Sequence, residues 1–386
     1  MSEAVEIFLF ADALGWEVAE ANDFLKDLLP YRRRIAMQFG YSSSAIPTIL
    51  SGQPPAVHKH LGLFRFAPAQ SPFRWMRWLG PLLRPASLWN RGRVRHWLSG
   101  LIGRMRGFTG YFQLYRMPFD RLPLMDYCEK KDLFAAGGMD EVENLCDLLN
   151  RSGRHFHISD WRLGDQRNFA EARAALAQGT EFLFIYTAGL DAILHQSPDP
   201  ESEAVKAKLE WYRREIEGLW EDCRKAGKTL RLTVFSDHGM TPLKRTVDLK
   251  AAVEATGLVF GRDYGACYDS TMFRVNFLKP NAEATIRAAL KPFETCGHWL
   301  SAEEEKHYGI YREDRYFGEA IFLLDPGVQI VPSDMGLEAL PGMHGYAPSD
   351  KDSYAAILSN AEIPPEVQCV ADYFQLMRQR LPKPSC

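Results

Sequence analysis

The chain has 386 residues, of which 46% are hydrophobic and 25% charged, and its formal net charge is −3. These are ordinary globular values, so the chain can bury a sizeable core, and they exclude wholesale disorder. The small net charge gives no sign of a nucleic-acid-binding protein, and the length favours one large catalytic domain with an insertion.

The first predicted elements are a strand and a helix. Residues 7–10 are apolar, and residues 6–10 predict a short buried strand that ends just before Asp12. Residues 17–29 have the apolar spacing of a helix that packs back on a sheet. Asp12 is therefore expected at the end of a strand.

Three consecutive serines, Ser42, Ser43 and Ser44, precede Pro47. Serines before a proline are typical of a helix start, and this pattern predicts Ser43 or Ser44 as the N-cap and Pro47 in the first turn.

Residues 63–117 differ in composition from the rest of the chain. They contain ten arginines and four of the nine tryptophans, with no Asp, Glu or Lys. Within them, residues 88–105 predict a basic amphipathic helix or helix pair, broken by glycines. Three interpretations stay open: an ordinary cap, a cationic lid that meets an anionic lipid or membrane surface, and, least favoured, a surface for single-stranded nucleic acid.

The middle of the chain predicts alternating helices and strands. Residues 182–186 and 230–235 are apolar strands, and residues 170–176 and 201–224 have the apolar spacing of helices. Such αβα units predict a parallel sheet that is covered on both faces.

Potential metal ligands follow both of these strands. Asp191 and His195 are one helical turn apart, and Asp237 lies next to His238. A further histidine, His344, lies in a Gly-Met-His-Gly-Tyr stretch. Because the carboxyl ends of parallel strands meet at one edge, these side chains can turn toward a common metal ion.

The order of these motifs resembles the alkaline phosphatase superfamily, and most closely its nucleotide pyrophosphatase/phosphodiesterase (type I phosphodiesterase) branch. The motifs are an early Asp, then Asp-x-x-x-His, Ser-Asp-His-Gly-Met and His-Gly-Tyr. The resemblance implies an α/β fold, an alkaline-phosphatase-like αβα sandwich with a mostly parallel central sheet. It also implies a catalytic domain formed by residues 1–62 and 118–386, with an inserted Arg/Trp-rich cap at residues 63–117.

The resemblance further implies two divalent metal ions. The implied ligands form two sets: Asp191, His195 and His344 for one ion, and Asp12, Asp237, His238 and the Ser42 oxygen for the other. The share of imidazole favours Zn²⁺, with Mn²⁺ as an alternative. His155 and His157 match no family position and are interpreted as packing or edge residues.

Ser42 is the implied nucleophile, because ten residues separate the family's nucleophile from a glycine that corresponds to Gly52. This branch usually carries Thr there, and Ser43 and Ser44 stay as alternatives. Formylglycine sulfatases are not favoured, because their signature residues are replaced by Ala45 and Ile49.

The implied activity is hydrolysis of a phosphate ester by a two-zinc phosphodiesterase or phosphatase through a phosphoseryl intermediate. The nucleotide branch carries an Asn where this chain has Leu63, so nucleotide specificity is not implied. Nucleotide, lipid headgroup, sugar phosphate and phosphonate all remain open as leaving groups. The alternative is a catalytically silent relative that acts as a membrane- or partner-binding module.

The sequence also predicts a location. Residues 1–6 lack a basic segment, no apolar run approaches the length of a membrane span, and the seven cysteines are scattered without a CxxC pair. We therefore expect reduced thiols and a cytoplasmic protein that is able to attach to a membrane surface.

Overall fold

The structure is a computed structural model that describes residues 4–79 and 91–381. Its strands are β1 Ala4–Ala11, β2 Tyr31–Ile35, β3 Phe64–Phe66, β4 Met125–Tyr127, β5 Phe156–Ile158, β6 Phe182–Thr187, β7 Thr229–Phe235, β8 Thr241–Pro242, β9 Arg245–Val247, β10 Tyr264–Tyr268, β11 Met272–Phe277, β12 Gly297–Trp299, β13 Ala320–Leu324, β14 Val328–Ile330, β15 Gly342–Met343 and β16 Ala355–Ser359.

The largest sheet has six strands in the order β2-β16-β7-β1-β6-β5. The strands β7, β1, β6 and β5 pair in parallel, and β16 is antiparallel to both of its neighbours. The predicted α/β class and mostly parallel central sheet are confirmed.

The central strand β1 sends alternate side chains to opposite faces of this sheet. Val5, Ile7 and Leu9 belong to the core on one face, whereas Phe8 and Phe10 belong to the core on the other. Because a strand has a side-chain period of two, a strand that is apolar at every position must be covered on both faces.

Helices cover both faces. The helices that contribute to the first core are Trp16–Ala21, Asp165–Ala177, Gly189–Gln196 and Glu203–Lys225. The helices on the second core are Ser42–Ser51, Leu145–Ser152 and Asp372–Gln379. The result is a three-layered αβα sandwich.

A four-stranded antiparallel sheet, in the order β10-β11-β13-β12, has its own apolar core. The helices Leu249–Glu254 and Ala282–Leu290 pack against it. The remaining short helices are Pro55–His58 and Ala302–His307.

Residues 63–117 pack through one apolar cluster. Buried Phe73, Met76 and Ile102 belong to it, and the helix Gly92–Arg106 contributes its inner face. The cluster continues beyond residue 117 to Tyr127, and β3 pairs with β4 across the predicted boundary. The division into a catalytic domain and an inserted cap therefore stays a prediction.

Three local predictions are corrected. The helix predicted at residues 17–29 ends at Ala21, because Asp23 and Leu25 adopt positive φ angles of 43° and 55°. Leu25 is nevertheless buried. The apolar spacing therefore identified buried positions correctly but did not indicate a continuous helix.

The helix predicted at residues 88–105 is a single helix, Gly92–Arg106, which continues through Gly100 and Gly103. Residues 80–90, including the predicted start at residue 88, lie outside the part that the structure describes.

The N-cap prediction is also wrong. Tyr41 is the N-cap of the helix Ser42–Ser51, and Pro47 lies inside the helix rather than in its first turn. The Ser44 hydroxyl instead donates to the carbonyl oxygen of Phe39, at 2.9 Å.

Within the described ranges, none of the helices combines the length and apolar character that crossing a bilayer requires. The six cysteines in those ranges are all free.

The aromatic packing on the second face gives a stability prediction. Phe8→Ala removes a ring that lies 5.6 Å from the ring of Phe182 and 6.2 Å from that of Phe235. We expect the free energy of unfolding to fall by about 3–5 kcal/mol in urea titrations. Tyr31→Ala, at a site on the edge strand that is 45% exposed, should cost less than about 1 kcal/mol. Equal falls in the free energy of unfolding in the two variants would contradict the burial of β1.

Candidate active site

Three adjacent parallel strands deliver acidic side chains to one edge of the large sheet. Asp12 follows β1, Asp237 follows β7, and Asp191 lies in the helix Gly189–Gln196 directly after β6. The carboxyl ends of parallel strands are the usual position of ligand crevices in such sheets.

One group of potential metal ligands consists of Asp12, Asp237 and His238. The His238 Nε2 atom lies 3.2 Å from Asp237 Oδ2 and 3.6 Å from Asp12 Oδ1. All three side chains are buried, so these atoms face one another rather than solvent.

A second group consists of Asp191, His238 and His344. The His344 ring stacks on the His238 ring with 3.7 Å between centroids, and His344 Nε2 lies 3.9 Å from Asp191 Oδ1. The sequence prediction placed His238 with Asp12, Asp237 and the Ser42 oxygen, whereas in the structure the His238 ring borders both groups.

His195 lies at the margin of the second group. Its Nε2 atom is 3.4 Å from Asp191 Oδ1, and its ring centroid is 5.3 Å from that of His344. The structure thus brings Asp191, His195 and His344 together, as the sequence predicted, and their assignment as metal ligands stays a prediction.

Backbone carbonyl groups orient two of the imidazoles. The Nδ1 atom of His238 is 2.9 Å from the Gly239 oxygen, and that of His195 is 2.9 Å from the Gly342 oxygen. A carbonyl oxygen only accepts, so each Nδ1 donates to it, and each ring is thereby oriented with its Nε2 toward the acidic side chains, the position from which an imidazole binds a metal.

Ser42 is the serine that contacts this cluster. It is the first residue of its helix, and its Oγ lies 3.1 Å from His238 Nε2. Ser44 is buried against Phe39, and the Ser43 Oγ faces the carbonyl oxygen of Leu61 at 3.5 Å. The geometry therefore favours Ser42 over both alternatives.

The electrostatics of the cluster suit a divalent cation. Burial, followed by the charges of Asp237 and Asp191, raises the pKa of Asp12 well above its ordinary value, and burial also raises the pKa of Asp191. Burial and the neighbouring imidazoles lower the pKa of His344.

One oxygen of each of these three carboxylates (Asp12 Oδ1, Asp191 Oδ1 and Asp237 Oδ2) is buried and receives no hydrogen bond from the residues that the structure describes. Unpartnered carboxylate oxygens beside imidazoles form a mixed O/N donor set, which fits Zn²⁺ or Mn²⁺.

Close backbone packing fixes the strand end that carries Asp237 and His238. A Cβ atom at Gly239 would lie 2.2 Å from the Asp352 carbonyl oxygen, and one at Gly15 would lie 2.6 Å from the Gly239 Cα. Only glycine fits at these two positions, because both backbones approach too closely for a Cβ atom.

The comparisons with known proteins agree with this geometry. The family model for type I phosphodiesterase / nucleotide pyrophosphatase matches residues 132–347, which is more than half of the chain. The chain belongs to this family. No curated protein matches it.

Solved structures of murine and human ectonucleotide pyrophosphatase / phosphodiesterase 5 share the fold. The murine protein, an inactive variant in complex with AMP, has a TM-score of 0.65 and 13% identity, and the match covers 100% of this chain and 98% of that chain. The human protein has a TM-score of 0.65 and 15% identity, with coverage of 99% and 97%. At these identities the likeness establishes the fold alone.

A cavity of about 720 Å³ opens beside the cluster of this type I phosphodiesterase. Ser42, Asp191 and His344 line one end. Its other walls are largely aromatic or aliphatic and include Tyr111, Tyr115, Phe134, Trp161, Tyr186 and Leu63. Leu63, the position at which the nucleotide branch carries Asn, therefore lines the cavity.

Glu129 also lines this cavity and was missed by the sequence analysis. It is only 7% exposed, and no hydrogen bond or ion pair to its carboxylate is found among the described residues. Burial alone raises its pKa to about 8. No motif surrounds Glu129 in the sequence, so only the fold reveals it. His155 is exposed, and neither it nor His157 belongs to a metal-binding group of the described chain.

The ligand cluster gives a metal-binding prediction. Asp237→Ala removes a buried carboxylate beside His238, and we expect bound zinc, measured by elemental analysis after loading and desalting, to fall from about two ions per chain to about one or fewer. His155→Ala, at an exposed position remote from any ligand motif, should leave the metal content unchanged. If the folded parent protein retained no more zinc than the background level after loading, the prediction of a metal centre would be contradicted.

Glu129 gives a pH prediction. Between its ordinary pKa of 4.5 and its folded value of about 8, the folded chain holds a proton that the unfolded chain has released. The free energy of unfolding should therefore fall as the pH rises through this range. Glu129→Gln removes the titrating group and with it this loss of stability. The melting temperature of the variant minus that of the parent should therefore increase as the pH is raised from about 5 to about 8. A pH-independent difference would contradict the raised pKa.

Proposed function

We propose that the protein is a two-zinc phosphodiesterase that hydrolyses a phosphate ester through a phosphoseryl intermediate on Ser42. The observation that carries the proposal is the position of the Ser42 hydroxyl. It lies 3.1 Å from His238 Nε2, at a helix start that opens into a cavity beside three carboxylates that each have one unpartnered oxygen.

The metal ions would be held by the predicted ligands. Asp191, His195 and His344 are proposed for one ion, and Asp12, Asp237, His238 and the Ser42 oxygen for the other. Divalent ions in these positions supply Lewis acidity, which lowers the pKa of a hydroxyl group and offsets the negative charge on a phosphoryl group. Three imidazoles among seven side-chain ligands favour zinc, and Mn²⁺ is the alternative.

The chain's own residues position the reacting atoms. The Ser42 oxygen attacks phosphorus, the new Oγ–P bond forms as the bond to the leaving oxygen breaks, and the leaving group takes up a proton. The N–H groups of Ser44 and Ala45 donate to the Tyr41 carbonyl oxygen, whereas no acceptor is found among the described residues for those of Ser42 and Ser43, so these two can donate to phosphoryl oxygens. Water then cleaves the Oγ–P bond and returns a proton to Ser42.

The walls of the cavity bear on the choice of substrate. Leu63 offers no amide to a phosphate, and the buried Glu129 carboxyl group, which is neutral below its pKa of about 8, offers no positive charge to an anionic leaving group, although Arg116 also lines the cavity. We therefore propose a phosphodiester with a neutral or cationic leaving group rather than a nucleoside polyphosphate.

A catalytically silent relative is the second candidate. The exposed aromatic and basic side chains of residues 63–117 would suit a binding module. The two potential metal-binding groups, with His195 and Ser42 beside them, instead favour an active enzyme. Hydrolysis assays separate the two candidates.

The direct test compares nitrophenyl monoester, diester and sulfate substrates with the zinc-loaded protein. We expect the diester to react fastest, and Ser42→Ala to lower kcat by about 10³-fold or more because the covalent route is lost. Ser43→Ala, whose hydroxyl faces Leu61, is the matched control and should change kcat less than about threefold.

Two outcomes would oppose the proposal. An active Ser42→Ala beside an inactive Ser43→Ala would reject the nucleophile. No turnover of any ester by protein that retains its zinc would favour the silent relative.

A further inference from the structure

The helix Gly92–Arg106 carries an apolar row on its outer face. Trp97, Leu101 and Met105 are four residues apart, so they follow one side of the helix, and they are 63%, 39% and 61% exposed. The opposite side is buried, with Ser99, Ile102 and Gly103 in contact with the protein. Large apolar side chains in a row on the outside of a packed helix indicate a binding surface.

Arginines surround this row. Arg93 precedes Trp97 by one turn, and Arg104 and Arg106 flank Met105 at the other end. All three are exposed, and no ion pair with an acidic residue is found for them in the described part of the chain.

A second exposed element has the same character. In the 3₁₀ helix Arg74–Leu79, Trp78 is 87% exposed, and Arg74 and Arg77 are exposed beside it. The inner side of this element packs into the same apolar cluster as the helix Gly92–Arg106, through Met76. Two neighbouring elements of one cluster thus present tryptophan with arginine to solvent.

Two other arginines of residues 63–117 have partners inside the protein. Arg65 is paired with Asp126 at 2.9 Å, and Arg95 is buried, where it donates to the carbonyl oxygens of Tyr115 and Met117. The fold satisfies these two internally, whereas Arg93, Arg104 and Arg106 lie beside the apolar row.

We propose that the outer face of the helix Gly92–Arg106, with Trp78, is a docking surface for an anionic lipid bilayer. Trp97, Leu101 and Met105 would enter the interfacial layer, where indole rings are favoured, and the arginines would contact lipid phosphates. The charge of the partner follows from the arginines, which have no acidic neighbours within residues 63–117.

This surface is distinct from the proposed active site but belongs to the same segment. Residues 63–117 also supply Leu63, Tyr111 and Tyr115 to the cavity wall. Attachment through the outer face would therefore hold the cavity wall close to the membrane, although attachment itself requires no catalysis.

Vesicle flotation with the full zinc-loaded chain tests the proposal. We expect binding to vesicles of phosphatidylcholine with phosphatidylglycerol, little binding to pure phosphatidylcholine, and loss of binding between about 0.1 M and about 1 M salt, because screening shortens the range of the charges. An exposed arginine near an anionic surface strengthens attachment about fivefold, so Arg93→Gln with Arg104→Gln should weaken it about 25-fold.

Matched variants separate the surface from a general charge effect. Trp97→Ala should weaken binding about tenfold or more, because the bilayer interface favours the indole ring. Val259→Ala, at an apolar position that is 45% exposed elsewhere, and Arg214→Gln, on the helix Glu203–Lys225, should bind like the parent.

Hydrolysis of a soluble nitrophenyl diester should be unchanged in Trp97→Ala, so failure of docking and failure of catalysis are measured separately. Equal binding to both vesicle types, or equal losses in the control variants, would overturn the proposal. It would also be overturned if Trp97→Ala abolished self-association or oligonucleotide binding while the parent ignored anionic vesicles.

Discussion

The interaction on which the site depends is the mutual repulsion of three crowded carboxylates. Asp12 and Asp237 are buried and Asp191 is partly buried, and each has one buried oxygen that receives no hydrogen bond from the described residues. The oxygens of Asp12 and Asp237 lie beside His238, and that of Asp191 lies beside His195 and His344. Such an arrangement is expensive without a positive charge at its centre, because burying an unpaired carboxylate costs several kcal/mol. The sheet tolerates it because close packing at Gly239 and the bond from His238 to a backbone carbonyl hold the ligands in place.

The central sheet provides the rigidity that this repulsion requires. Strands β7, β1 and β6 are adjacent, buried on both faces and locked by interleaved aromatic rings, among them Phe10 and Phe235 with centroids 5.7 Å apart. A loop alone would relax and separate the carboxylates. Strand ends fixed from both sides keep them together in two adjoining ligand groups, and the helix that begins at Ser42 places a hydroxyl group beside them.

Much of this arrangement could be predicted from the sequence, for identifiable reasons. The residues after β1, β6 and β7 follow clear apolar runs, which mark the strand ends. The spacing of Asp191 and His195 by four residues already places both side chains on one side of a helix. The helix predicted beyond Ala21 failed because positive φ angles at Asp23 and Leu25 leave no mark in the apolar pattern. Glu129 could not be found, since its significance comes from a cavity that distant segments enclose.

The position of β16 has a consequence for how the chain reaches this state. It is the one antiparallel strand of the large sheet, and it lies between β7 and β2. Until residues 355–359 arrive, β7 presents a bare edge next to the ligand-bearing loop, and β2 has no partner in the sheet. Such edges invite pairing with other chains, and closing so long a loop is slow. A late-arriving strand thus completes the sheet, and chaperones that shield unpaired edges would act on this protein during synthesis rather than after it.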